Sequence, residues 1–240
     1  VAMAGARAFK KAPRMIAEAI ESCIDLDGTV FEKVEIAGPG FMNFFLSQQF
    51  YSDVLKDVFA CGEDYGKSDY GQGKRILVEF VSANPTGPMH MGNARGGVLG
   101  DALASVLQRA GYNVWREFYV NDAGNQIEKF GCSLEARYLQ IFKGDEIEFP
   151  EDGYQGADIT DLANEYKDIY GDKLLDVSSE ERRKALVDYA LPKNIKKMQE
   201  DMAAYKITYD KWFFESELHK SGAVKEVIDI LTSKGLTYEK

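Results

Sequence analysis

The sequence predicts an α/β protein in two parts, a small α/β domain followed by a larger one built on a parallel sheet. Three observations predict it. Residues 74–120 read as strand, helix, strand, with a Pro/Gly-rich turn where the first strand ends. Residues up to about 70 carry helical and strand-like spacing in short stretches. A hydrophilic, glycine-rich stretch at residues 61–73 lies between the two and reads as a linker. The expected domains are therefore 1–70 and 71–240, the second with a helical insertion around 143–190.

In order along the chain, residues 2–20 show helical spacing (Ala6, Phe9, Ile16, Ile20) interrupted at Pro13. Val30, Glu32, Val34 and Ile36 alternate with Phe31, Lys33 and Glu35 as in a strand. Gly38-Pro-Gly40 is a turn before the strand-like run Phe41-Met-Asn-Phe-Phe-Leu46, and residues 48–60 are helical again. Residues 76–81 are a nearly continuous apolar strand. Residues 93–110 form a helix whose Gly96, Gly97 and Gly100 weaken it by about 1 kcal/mol each, so close approach to the sheet or a ligand is expected there. Gly111 stands where a helix C′ residue belongs, and residues 113–120 are the second strand. This is a βαβ unit of a Rossmann-like, doubly wound sheet, with its turn at the carboxyl end of the first strand, where such sheets bind ligands.

Beyond it, residues 126–142 are helical, residues 144–156 read as an acidic surface insertion, and residues 159–175 and 180–189 read as helices. Ser178-x-x-Glu181 is a capping box, and Pro192 suits the first turn of a further helix whose Ile195, Met198, Met202 and Tyr205 form a core stripe.

Composition narrows the function. The 240 residues are 45% hydrophobic, enough for a buried core. The net charge of −10 argues against a surface coated in positive charge for non-specific nucleic-acid binding. The local basic runs Arg182-Arg-Lys184 and Lys193-x-x-Lys196-Lys197 read as solvated helix faces. No apolar run is long enough for a membrane span, and the N-terminus lacks the layout of a signal peptide, so a cytoplasmic location is expected. The chain opens without Met inside a helical pattern and reads as an excised segment. Cys23, Cys61 and Cys132 are far apart and read as isolated core residues in a reducing compartment; no structural metal is expected. Gly66-Lys-Ser68 lacks both the glycine five residues upstream, where Cys61 stands, and the preceding strand that a Walker A loop needs.

The informative segment is Ala83-Asn84-Pro85-Thr86-Gly87-Pro88-Met89-His90-Met91-Gly92-Asn93. A turn leading from a parallel strand into a helix presents backbone N–H groups to a phosphate. His90 adds an imidazole donor there, Gly92 leaves bare backbone against which a nucleoside can lie, and Asn93 is a neutral donor. Transfer of a nucleotidyl group asks chiefly for such positioned donors around the α-phosphate. Nearby, Glu79 lies in the apolar strand, where an unpaired buried carboxylate costs several kcal/mol and a guanidinium would satisfy it. The alternative is that Glu79 faces water or a basic neighbour.

The residues from Val78 through His90 to Gly97, with Gly100-Asp101, Gly111-Tyr-Asn-Val114, Tyr119-Val-Asn-Asp-Ala-Gly-Asn-Gln-Ile127 and Trp212-Phe-Phe-Glu-Ser-Glu217, resemble class I aminoacyl-tRNA synthetases, more narrowly arginyl-tRNA synthetases of bacterial type. Gly38-Pro-Gly-Phe-Met-Asn-Phe44 resembles that family's N-terminal, tRNA-contacting domain. The resemblance implies activation of L-arginine with ATP and Mg2+, transfer to tRNA(Arg), and a need for bound tRNA during activation. It implies His90 and Asn93 as catalytic, and Pro88, Met89, His90, Gly92 and Asn93 as ATP-binding. Glu79, Ser82, Asn84, Asp122 and Gln126 are the implied arginine ligands, with helix capping an equal alternative for the last two. The family usually has His where Asn93 stands, so a protonated imidazole is not available at that position.

Departures from the family pattern lead to further expectations. The lysine-bearing second motif, later guanidinium-gripping residues and the anticodon-binding domain are not in this sequence, so the segment alone is expected to be inactive. The parent is expected to be a monomer, while the segment's exposed sheet edge favours self-association. Two other readings stand beside this one: a non-catalytic RNA-binding or regulatory protein on a synthetase scaffold, and another class I nucleotidyl-transfer enzyme.

Overall fold

The computed structural model describes residues 1–238 and divides into two compact units, Val1–Lys67 and the chain from Ser68 onward. In the first, α1 (Ala2–Phe9) ends where Lys10 turns left-handed at φ 49°, and Pro13 opens α2 (Pro13–Glu21) at a position where its missing N–H costs nothing. β1 (Phe31–Ala37) and β2 (Phe41–Leu46) form an antiparallel hairpin, followed by α3 (Gln48–Cys61). Gly40 closes the hairpin against α2: a β-carbon there would lie 2.8 Å from the Pro13 carbonyl carbon, and its φ of 124° also favours glycine. Ala2, Ile16 and Ala17 make the small core, with Ile20, Ile36 and Met42 packed on it.

The second unit is built on a parallel sheet, ordered β3 (Arg75–Glu79), β4 (Asn113–Val120), β5 (Lys211–Phe214). α4 (Met91–Arg109) links β3 to β4. α5 (Asn125–Lys143), α6 (Ala157–Tyr170) and α7 (Ser179–Ala204) link β4 to β5, and α8 (Glu215–Ser221) and α9 (Ala223–Ser233) follow. The parallel α/β sheet agrees with the sequence. Ala104 of α4 and Met202 at the end of α7 pack together on Val78 and Phe80, so both connections lie on one face. Met198 extends that layer over Phe118 and Val120. On the opposite face Leu77 is 57% and Trp115 46% exposed, so among the described residues helices cover one face only.

The approach of α4 to β3 is close. A β-carbon on Gly100 would sit 2.2 Å from the Phe80 ring, and one on Gly97 3.0 Å from Ile207. Of Gly96, Gly97 and Gly100, the last two thus make the expected close approach, while Gly96 has open space around it.

α5, α6 and α7 form a helical layer with its own core of Phe130, Leu134, Tyr138, Ile159, Ala163 and Leu186. Several expectations need correction here. α7 runs unbroken through Pro192, which therefore does not open a new helix. The lost N–H and ring clash of an interior proline are outweighed because the helix is buried on both sides of it, through Leu186 and Ala190 before and Met198 and Met202 after. Ser178 does cap α7, its hydroxyl accepting from the Glu181 N–H.

Arg182 is not on a solvated face. It is 8% exposed, donates to the carbonyls of Leu174, Leu175 and Val177, and pairs with Glu135 at 2.7 Å. Lys193, Lys196 and Lys197 are paired with Glu165, Glu200 and Asp201, which removes much of the basic character of that run. Tyr205 lies outside the core stripe at 51% exposure because the helix ends there. Cys23 and Cys61 are exposed rather than in the core; Cys132 is half-buried, with its Sγ 3.2 Å from an Arg183 amino group. The segment after α5 is not a free insertion, since the Tyr154 N–H donates to Ser133 Oγ at 2.9 Å and Phe149 lies under the Arg137 guanidinium.

Two predictions follow from the packing. Gly100→Ala should lower stability to urea by about 1–3 kcal/mol through overpacking against Phe80, although alanine is the better helix former. Gly96→Ala, with no neighbour to meet, should stabilise by up to about 1 kcal/mol.

Burial pushes the Tyr209 phenol well above the usual tyrosine range, and its hydroxyl donates to the Phe80 carbonyl at 3.3 Å. Above about pH 10 the unfolded chain releases this proton and the folded chain keeps it, so stability is full below that pH and falls as pH rises. Urea titrations from pH 9 to 11 should show this decline, and Tyr209→Phe should make it shallower.

Candidate active site

The site begins where β3 stops. After Glu79 the chain turns through two consecutive left-handed residues, Val81 at φ 68° and Ser82 at φ 42°. Neither is glycine, and left-handed backbone costs a β-branched residue roughly 1–3 kcal/mol. Two interactions hold it. Ser82 Oγ donates to Glu79 Oε1 at 2.8 Å and accepts the Tyr119 N–H at 3.1 Å, tying the turn to both strands. Val81 fits against the bare backbone of Gly97, where a β-carbon would be 3.5 Å from its methyl.

Past this kink, Pro85 and Thr86 are buried, and the Pro85 carbonyl accepts from Asn194 Nδ2 of α7 at 2.9 Å. His90 then caps α4 and is exposed. Its Nδ1 accepts the Gly92 N–H at 3.1 Å, and its own N–H donates to Asn93 Oδ1 at 3.0 Å. An imidazole that accepts at Nδ1 carries its proton on Nε2, so the outward nitrogen is a donor. Likewise Asn93 uses its oxygen in the cap, and none of its amide hydrogens. Gly92 has a local reason to be glycine: a β-carbon would meet the His90 ring at 2.8 Å.

Ser82, Asn84, Pro88, Met89, His90 and Asn93 open onto one cavity of about 420 Å³. Tyr154, from the segment between α5 and α6, closes part of its wall. Met89 also packs on the sheet core, so it anchors the turn as well as lining the cavity. The donors gathered here suit an anionic ligand: one imidazole N–H and one carboxamide NH₂ at the positive end of a 19-residue helix, whose Gly92, Asn93 and Ala94 N–H groups are already engaged by His90.

The other predicted ligands are placed differently. Glu79 is exposed and satisfied by Ser82, not buried and unpaired, because it points to the uncovered face of the sheet. Asp122 is a cap: its Oδ1 accepts the Ser216 N–H at 2.8 Å in the first turn of α8. Gln126 is half-buried in the first turn of α5. Burial, then the carboxylates of Glu215, Asp122 and Glu79, push the Tyr119 phenol up, which marks an acidic cluster around that hydroxyl.

Comparison with known families settles the lineage. The arginyl-tRNA synthetase N-terminal domain matches residues 1–46, and the class I (R) tRNA synthetase catalytic domain matches residues 55–236. The chain belongs to the class I arginyl-tRNA synthetases. The arginine–tRNA ligases of Caldanaerobacter subterraneus and Acetivibrio thermocellus are 62% and 57% identical to it over its whole length. The chain spans 42% and 43% of those two relatives. A Campylobacter jejuni crystal structure described as an arginyl-tRNA synthetase superposes with a TM-score of 0.68 at 33% identity, over 81% of this chain and 42% of that one.

Within this synthetase segment, sequence reasoning did not pick out Tyr119, Glu215, Tyr154 or Asn194 as part of the site. The first two had a signal, since they stand at or just past the carboxyl ends of adjacent parallel strands. Tyr154 and Asn194 had none, because only tertiary packing brings them to the turn. Ser82→Ala should leave the Tyr119 N–H without a partner and release the strained turn. A loss of about 1–3 kcal/mol in urea denaturation is expected, compared with well under 1 kcal/mol for an exposed serine such as Ser22.

Proposed function

We propose that this segment supplies the ATP- and arginine-binding edge of an arginine–tRNA ligase. In the proposed reaction the arginine carboxylate attacks the α-phosphate of ATP, pyrophosphate leaves, and arginyl-adenylate forms. The 2′-hydroxyl of the terminal adenosine of tRNA(Arg) then attacks the arginyl carbonyl, releasing AMP. Mg2+ enters with ATP as part of the substrate.

His90 Nε2–H and the Asn93 amide, at the positive end of α4, stabilise the charge that develops on the phosphates, and they do so without rearranging. Gly92, Pro88 and Met89 shape the floor on which the nucleotide lies. Glu79 and Asp122, joined by Glu215, supply negative charge for the guanidinium, and Gln126 in the first turn of α5 is a further candidate ligand. Ser82 fixes the direction of the Glu79 carboxylate, and Asn84 meets the amino-acid head group. The unit Val1–Lys67 contributes contacts to tRNA.

One observation carries this reading: His90 is exposed at the N-terminus of α4 with Nδ1 engaged by Gly92, which leaves Nε2–H free to donate. A histidine kept only for capping would tolerate any capping residue. The family membership and the relatives' names support the choice of arginine and tRNA.

The test is pyrophosphate exchange by the full-length parent in the presence of arginine and tRNA. His90→Ala should lower kcat by about 10²–10³. His90→Asn, which caps a helix well, should remain impaired while restoring stability. Exchange at the parental rate in His90→Asn refutes the proposal. The 240-residue segment alone, which spans less than half of its relatives, should bind ATP but give no aminoacylation.

A further inference from the structure

The turn that carries His90 is gripped from outside its own βαβ unit. Pro85 and Thr86 are buried, so the Pro85 carbonyl needs a partner, and no strand reaches it. Asn194 provides one, its Nδ2 donating at 2.9 Å across 109 residues of sequence. Asn194 sits at a particular place on α7. Before it, Leu186 and Ala190 belong to the core of the helical layer. After it, Met198 and Met202 lie under the sheet. The hydrogen bond therefore leaves α7 where the helix passes from one core to the other.

We infer that Asn194 is a positioning residue for the nucleotide cavity: by holding the Pro85 carbonyl it keeps Asn84 and His90, on either side of that carbonyl, at a fixed spacing. This role rests on the reading of the site as an ATP and arginine site. The same helical layer also contributes Tyr154 to the cavity wall, through a loop fixed by Ser133. A shift of the helical layer therefore reaches the cavity at two points. Pro85 makes the bond useful, because a proline fixes its own φ and passes the constraint on to its neighbours.

Three variants of the full-length enzyme test the inference, assayed by arginine- and tRNA-dependent pyrophosphate exchange with thermal melts alongside. Asn194→Asp keeps the shape but has no N–H to donate. Asn194→Ala removes the group, and Asn194→Gln keeps an amide donor on a longer arm. Asn194→Asp and Asn194→Ala should each lose about 10-fold in kcat/KM for ATP at temperatures where the variants are fully folded, and Asn194→Gln should recover most of it. A role in stability alone would lower the melting temperature and leave kcat/KM of the folded enzyme unchanged. Parental kinetics in Asn194→Asp, or an equal loss in Asn194→Gln, overturns the inference and leaves the reaction standing. A parent enzyme with no such exchange overturns the reaction itself, and this inference with it.

Discussion

The closeness of α4 to the end of β3 governs the geometry of the whole site. A helix packed on a sheet normally keeps a layer of side chains between the two backbones. Here Phe80 occupies the space that a side chain at position 100 would need, and Ile207 presses on position 97. The helix gives up intrinsic stability for this, since four glycines in its first three turns would leave it marginal in isolation. Burial of Val78, Phe80, Ala104 and Met202 in one cluster offsets that loss. The result is that the N-terminus of the helix arrives directly beside the carboxyl end of the strand. The helix cap, the kinked strand end and the turn between them then share one cavity.

The same economy appears in the cap. His90 and Asn93 each have two polar functions, and the cap uses one from each. Nδ1 and the carboxamide oxygen accept backbone N–H groups, which fixes ring and amide orientation. Nε2–H and the amide NH₂ are left over, already oriented. Catalysis by positioned donors depends on this kind of preorganisation, because a donor that must be ordered during the reaction loses much of its effect. A carboxamide at position 93 can accept and donate at once in a single protonation state. The cap seen here uses the first of these functions and leaves the second over.

How much of this was legible in the sequence depends on the range of the interaction. Strands β2 and β4 have the bounds their residue patterns indicate, and α1 and α2 divide at Pro13, because alternation and proline geometry are local. The turn into α4 was legible for the same reason. Pro192 misled because the local rule is overridden when both flanks of a helix are buried. Arg182 looked like part of a solvated run because its carbonyl and Glu135 partners come from other segments. The expected core placement of Cys23, Cys61 and Tyr205 failed on details of local exposure that residue type does not carry. Asn194 and Tyr154 reach the site only by tertiary packing, and no spacing rule points to them.

Glu79 is the instructive case. An apolar strand in a parallel sheet is normally covered on both faces, which set a buried carboxylate beside a solvent-facing one as readings of its position. Helices cover one face of the described sheet, and Glu79 lies on the other with Leu77 and Trp115. Glu79 is exposed and Asp122 and Glu215 are half-buried, and all three gather around Tyr119. The same exposure weakens what they can do for a cation, since an ion pair in water is worth about 0–1 kcal/mol. Selecting a guanidinium over a lysine ammonium needs bidentate geometry in a site from which water has been removed. In the proposed reading the cluster supplies the charge, Ser82 supplies the direction of one carboxylate, and discrimination between cations would require this face of the sheet to be covered when the amino acid is bound.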